Sequence, residues 1–467
     1  MPACPGIEDA VWANQRQHEY TPMPRLATVL LALLASTAQC LSQTTDTLKP
    51  GSLSQSIQRQ HSNRWRELSR FVPLRPSEAP STATFVTLTD DHIAKDGGIL
   101  PAVLDSLARQ THLVGISLRN TRITSSAVAG LLPLKNQLQV LDLYGTRIDD
   151  KSLDDIGSLV ELRELDMGVT RVSSPGLTAL TSLKKLRVLE LSGRRINDTA
   201  TTAIGLLPSL VQLSLSGTRV TDKGLAALAT LSRLKALGLS GTRIEGSTLD
   251  KLAVLPDLAC LDLADTDITG DSVGRLSAFR KLKALNLENC PLVVDASTVH
   301  LARLTSLQGL VLRKTGFEKT SITGIGLARL ATLSQLQHLN LSATRINDEA
   351  IVPLTKLKQL RSLDLGLTGL GNAGLVHLAK LPRLESLVVM YQEGFGGTKV
   401  TADGLQHLAE HKTLSGLDLT GTKISDADLP KFRAVANLKQ LTISGTAITA
   451  AGAEKLARQL PGCRIIR

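Results

Sequence analysis

Two histidines and a glutamate, ordered His407-Leu-Ala-Glu-His411, are the sharpest chemical signal in the chain. Imidazoles four residues apart on one helical turn can hold a zinc ion, and a carboxylate beside them can activate a bound water. The surroundings argue against that chemistry. His411 falls where the equivalent stretch 210–233 has the apolar Leu231, and Leu408 falls where it has Leu228. The spacing therefore predicts a packed helix, with no metal and no cofactor. Cys260 stands without a C-x-x-C partner or a His–Asn constellation, and no G-x-S-x-G, phosphate loop or dinucleotide fingerprint occurs. The chain reads as a non-enzyme.

Two other groups of residues suit binding. Arg122, Arg147, Arg171, Arg195, Arg219 and Arg243 recur about every 24 residues, and Arg345 and Lys423 continue the series. Such a column could hold an anionic partner, or pair with nearby Asp150, Asp198 and Asp222. The second group is aromatic. Phe317, Tyr391 and Phe395 lie in two insertions, Lys314–Thr320 and Tyr391–Lys399, in a chain with only 2% aromatic residues. Aromatic side chains on loops held by a rigid scaffold suit a protein partner; the alternative is that each folds back as a plug.

These residues must be positioned by a repeat. The start L-x-x-L-x-L recurs fourteen times between Leu113 and Leu438, mostly at 24-residue intervals. In Leu210–Arg233, the leucines at 210, 213 and 215 point inward from a short strand, while Val211, Gln212 and Ser214 face out. Ser216-Gly217 turns the chain. Thr221-Asp222 offers a helix N-cap, and Leu225, Leu228 and Leu231 mark the buried face of a short helix. One period cannot bury both halves, but stacked periods can. Thr84–Leu88 looks like a degenerate first strand and Cys463–Ile466 like a truncated last one.

Charge alternates on the sheet side. Arg163, Arg187, Lys235, Lys283, Arg361 and Lys439 take the second strand position, and Asp142, Asp166, Glu190, Asp262, Asp364 and Asp418 take the fifth. These opposed columns could neutralise each other. The two insertions follow the strand at what reads as the same point of the repeat. Three repeats apart, they should rise from one rim, roughly 15 Å from each other.

The pattern L-x-x-L-x-L-x-x-T-x-I resembles the leucine-rich repeat family, and its L-S-G-T-x-I-T-D-x-G-L wording is most similar to the 24-residue repeats of exported bacterial members. The resemblance implies an α/β solenoid of about 14 repeats over residues 83–467, a curved horseshoe with a parallel sheet on the concave face and short helices on the convex one. Where the family usually has Asn or Cys, this chain has Thr121, Thr146, Thr170, Thr218, Thr242, Thr266, Thr344, Thr368, Thr422 and Thr446, with Cys290 keeping the cysteine form. A hydroxyl both donates and accepts, so threonine can stand in for the asparagine ladder.

Residues 23–38 have the layout of a secretory signal: Arg25, an apolar run Leu26–Ala35, and Ser36 and Ala38 before a cut. The run is too short to span a bilayer, so no transmembrane anchor is expected. Residues 1–22 read as a start-site artefact or disordered lead, and 39–82 as a linker and cap helix anchored by Trp65 and Phe71. Gln39 precedes Cys40, where lipid attachment generally wants a small residue. A net charge of +11 without a Lys/Arg run or an aromatic-rich motif gives no expectation of nucleic acid. The expected function is an exported, non-catalytic scaffold that binds a protein through its sheet and rim loops. The alternatives are a cytosolic adaptor resembling F-box substrate receptors and an envelope component that binds an anionic polysaccharide. N-terminal sequencing of the exported protein should start near Gln39; a mature chain beginning at Met1 would overturn the signal assignment.

Overall fold

Each period holds one short apolar strand and one short apolar helix, so its neighbours above and below must supply the walls of its core. The computed structural model describes residues 84–315, 322–392 and 396–467. Sixteen strands, from Thr84–Thr87 to Arg464–Ile466, pair in parallel and in strict chain order, forming an open sheet. Pairing is one to one: Leu189, Leu213, Leu237 and Leu261 are successive partners, and all are fully buried. Strand spacing of roughly 4.8 Å stacks these leucines in direct contact. Replacing one by alanine would cost about 2–5 kcal/mol.

The return segments are short. Some are α-helical, such as Asp222–Leu228, and others form thinner 3-10 helices, such as Pro175–Ser182. An α-helix with side chains is about 10 Å across and cannot stack at strand spacing, so the helical half is kept brief. Thr221 caps its helix, accepting from the Lys223 N–H at 3.3 Å. The helix stops at Leu228; Leu231 is buried just beyond it.

Between strand and helix, a threonine closes the turn. Thr218 Oγ1 donates to the Leu215 carbonyl at 2.6 Å, and Thr121, Thr146, Thr242, Thr266, Thr344 and Thr422 make the same bond three residues back. The hydroxyl thus satisfies its own turn and does not run a ladder between repeats. Cys290 differs: its Sγ reaches the Leu263 carbonyl of the preceding repeat at 3.2 Å.

The residue before that threonine has positive φ. Gly145, Gly217, Gly241, Gly421 and Gly445 supply it freely, but Val169 sits there at φ 55°. A β-branched residue pays a steric cost in this region that glycine does not.

The ends are covered differently. Phe85 is 1% exposed and lies over Gly115, where even a Cβ would collide with its ring. At the other end, helix Ala450–Gln459 buries Ala453 and Leu456. The expected lead, signal and linker segments, with Cys40, Trp65 and Phe71, lie outside the described residues.

Val169 is largely exposed, so little packing depends on it. Val169→Gly should stabilise the protein by about 0.5–1 kcal/mol. Thermal unfolding checks this; a lower midpoint would show that the turn is not strained.

Candidate interaction surface

The acidic residues opening the helices do not form ion pairs with the arginines of the column. Asp198 accepts from the Thr221 N–H and hydroxyl of the next repeat, both at 2.7 Å. Asp150 binds Ser173, Asp295 binds Thr323 and Asp426 binds Thr449 in the same two-pronged way. Asp222 accepts from the Glu245 and Thr248 N–H groups. Each carboxylate therefore staples its repeat to the next one. This corrects the expectation that Asp150, Asp198 and Asp222 pair with arginine: unsatisfied backbone donors at the following helix start hold those oxygens.

The arginines are left as a line. In the Thr218–Arg219–Val220 segment the flanking residues point in and the arginine out, and the six arginines are exposed. Backbone bonds fix their spacing: Arg147, Arg171 and Arg219 N–H groups donate to Ile123, Ile148 and Ile196 of the preceding repeat. Arg122 and Arg195 each give a guanidinium nitrogen to backbone carbonyls. Arg147, Arg171, Arg219 and Arg243 make no side-chain hydrogen bond or ion pair among the described residues. Arg171 lies near enough to Asp149 to help hold that carboxyl low, after the larger effect of the Ser125 hydroxyl. Asp267 takes the next place in the column and ends the run.

On the sheet side the fifth-position carboxylates are buried or half-buried and held by hydrogen bonds, with Asp418 Oδ2 left without a partner among the described residues. Arg119 bridges Asp142 at 2.9 Å and Asp166 at 2.7 Å, with its guanidinium stacked 4.3 Å from the Tyr144 ring centroid. Compensation thus comes from the seventh position of the repeat and not from the second: Arg313, at the same position as Arg119, bridges Glu288 at 2.7 Å and opposes the effect of burial on Asp364. At Arg119, one cation between two acids leaves a negative charge over. Burial, then the charge of Asp142, push Asp166 up to about 7, against the pull of Arg119. Burial raises Glu164 to about 7 as well, with Arg187 opposing. Farther along, Asp262, Asp364 and Asp418 cap their own turns, each accepting from an N–H two residues on. Gln212 and Ser214, expected to be free, are only 4% and 7% exposed. Side chains at strand spacing cover one another, and Gln212 donates to Glu190 at 2.9 Å.

The two insertions enter at different points. The first follows the closing threonine: Thr315 bonds the Leu312 carbonyl, and residues 316–321 come after it. The second precedes the threonine. Tyr391–Gln392 pairs antiparallel with Gly396–Gly397, and Thr398 then closes onto Val389, nine residues back, at 2.7 Å. Lys399 accordingly takes a place in the basic column, with its N–H donating to Leu370 at 2.5 Å, a member that the insertion hid from the sequence reading. Tyr391 is half-buried, packed on Gly397. At the foot of the hairpin, Val388 and Met390 are half-buried on the sheet side, and Met390 lies over Gly366. Phe317 and Phe395 lie outside the described residues.

A family model described as Leucine Rich repeat matches residues 207–229, one unit of this array. The matched stretch is a leucine-rich repeat, and the units stacked in register with it build a leucine-rich repeat solenoid. No curated protein matches it. Among solved structures, it is similar to a leucine-rich repeat protein of Leptospira interrogans, at 18% identity and TM-score 0.47 over 82% of this chain and 95% of that one. It is also similar to the internalin InlF of Listeria monocytogenes, at 20% identity and TM-score 0.41 over 75% and 85%. The leucine-rich repeat ectodomain of a plant receptor kinase from Arabidopsis thaliana, solved with Casparian strip integrity factor 2, matches at 16% identity and TM-score 0.41 over 82% and 50%.

Within this leucine-rich repeat array, His407 and His411 do not form a site. His407 is half-buried, whereas His411 is 7% exposed in the inward place that leucine holds elsewhere. A cavity of about 10 Å³ lies beside His411, lined also by Leu408, Leu414, Val435 and Leu438. Its Nε2 has no partner among the described residues. No group of three potential ligands for a metal occurs among them. Cys260 is fully buried between Ala236 and Ala284, and burial pushes its thiol well up, away from nucleophilic use. No helix among the described residues is long and apolar enough to cross a membrane.

Burial lowers the His411 pKa, so the unfolded chain binds the extra proton first as pH falls below about 6.5, and native stability is lost in that window. His411→Leu should raise the unfolding temperature at pH 5, with a smaller difference at pH 8. Equal effects at both pH values would show that the imidazole takes up its proton as readily in the folded chain as in the unfolded one.

Proposed function

We propose that this protein is an exported, non-catalytic scaffold that binds another protein through the sheet side and the hairpin rim. The observation that carries this reading is the surface at the hairpin foot. Val388, Met390 and Tyr391 are half-buried within four residues of chain, and backbone bonds hold each in place: Val388 between two strands, Met390 by the Leu367 N–H and Tyr391 in the hairpin. Partly exposed apolar and aromatic groups on a preformed surface are what a protein interface needs, because little conformational freedom is lost on docking. Small neighbours, Ser362, Ser386 and Gly416, leave room for side chains of the partner.

Phe317 and Phe395 belong to the same proposed surface, on the insertions that interrupt the repeat. Export rests on the signal-like residues 23–38. Cross-linking in the native envelope fraction, followed by identification of the captured protein, tests location and binding together. Phe317→Ala with Phe395→Ala should weaken the captured complex at least about tenfold, the scale of an interface anchor. Unchanged affinity in that double variant would remove the insertions from the surface.

A further inference from the structure

The arginine line lies on other repeats than the hairpin, and its surroundings define a different kind of occupant. Six exposed arginines stand in single file, one per repeat, on backbone that hydrogen bonds hold in register. Five steps at strand spacing make the line about 24 Å long. Like charges in such a row repel; the nearby acids keep their charge but aim their oxygens at donors of the next repeat, and none forms an ion pair with these arginines among the described residues.

Beside Arg195, Arg219 and Arg243 runs a ledge of bare backbone. Gly193 and Gly217 have nothing within 4 Å of where a Cβ would sit. On the other side stand Thr124, Asp149, Ser173, Asn197, Thr221 and Glu245; Asp149 accepts from the Ser125 hydroxyl and the Lys151 N–H, and Glu245 is exposed. Val169 is the one large apolar residue exposed among those turns. A protein partner would need apolar anchors that this strip lacks. A nucleic acid strand would need aromatic faces for its bases; Tyr144 is already stacked on Arg119.

We propose that Arg122, Arg147, Arg171, Arg195, Arg219 and Arg243 form a second binding site, for a linear polysaccharide bearing carboxylate or sulfate groups. The polymer lies across the strands, along the turn ledge, with its acid groups meeting successive guanidinium groups. Arginine suits this role because its planar fork binds such anions in two-pronged fashion.

Titration of the full chain with polygalacturonate and with dextran sulfate tests this, and the two arms separate carboxylate from sulfate. Binding of either polymer should weaken linearly in log Kd against log salt concentration. Arg195→Gln, Arg219→Gln and Arg243→Gln together should weaken it at least about tenfold at low salt, and flatten the salt slope as counterion release falls. Lys235→Gln, Lys283→Gln and Lys439→Gln remove the same charge elsewhere and should have a much smaller effect. Unchanged unfolding temperatures establish that both triple variants are folded. No binding of either polymer at low salt would overturn the proposal, as would equal loss in the two triple variants. Tighter binding of oligo(dT) than of both polysaccharides would overturn it in favour of a nucleic acid site. The arginine substitutions leave the hairpin and the sheet side untouched, so the protein partner should bind that triple variant normally.

Discussion

Parallel backbone pairing at one strand per repeat sets every other distance in this molecule. Once the strands stand about 4.8 Å apart, any residue type that recurs at one position becomes a column at that spacing. Columns of leucine gain from this, because each side chain packs on its twin above and below. Columns of charge do not, and each acidic or basic position needs its own solution.

The acids are resolved by hydrogen bonding. At helix starts, Asp150, Asp198, Asp295 and Asp426 take up donors of the next repeat. At strand ends, Asp262, Asp364 and Asp418 take up donors of their own turn. Asp142 and Asp166 share Arg119. In the arginine column only Arg122 and Arg195 are held, by backbone carbonyls. Arg147, Arg219 and Arg243 point outward in line, and that asymmetry separates a structural column from one open to a ligand.

Periodicity made the scaffold legible before any coordinates. Leu210, Leu213 and Leu215, the Thr221 cap and both irregular end strands are where the spacing puts them, because each obeys a local rule that repeats. Contacts across repeats were harder to read. Asp198 looked like a partner for arginine since both are charged and close in sequence. Its real partner is 23 residues away, and the repeat period itself was the available signal. Gln212 looked exposed because strand alternation says which side a residue faces, not whether its neighbours cover it. Lys399 was hidden because the second insertion shifts it out of the column count. Aligning on the buried Thr398 and Val400, rather than on the strand, restores it.

The turn closure at Thr398 has a consequence for how such a chain can change. A hydroxyl that reaches Val389 across nine residues as well as its counterparts reach across three does not sense what lies between. The strand before and the helix after keep their register, so added length carries only the slowly growing entropy of closing a longer loop, about 0.6 kcal/mol for each doubling. The turn is thus an open port in the coil. New segments can be spliced in there and exchanged for others, while the stack around them continues unaltered.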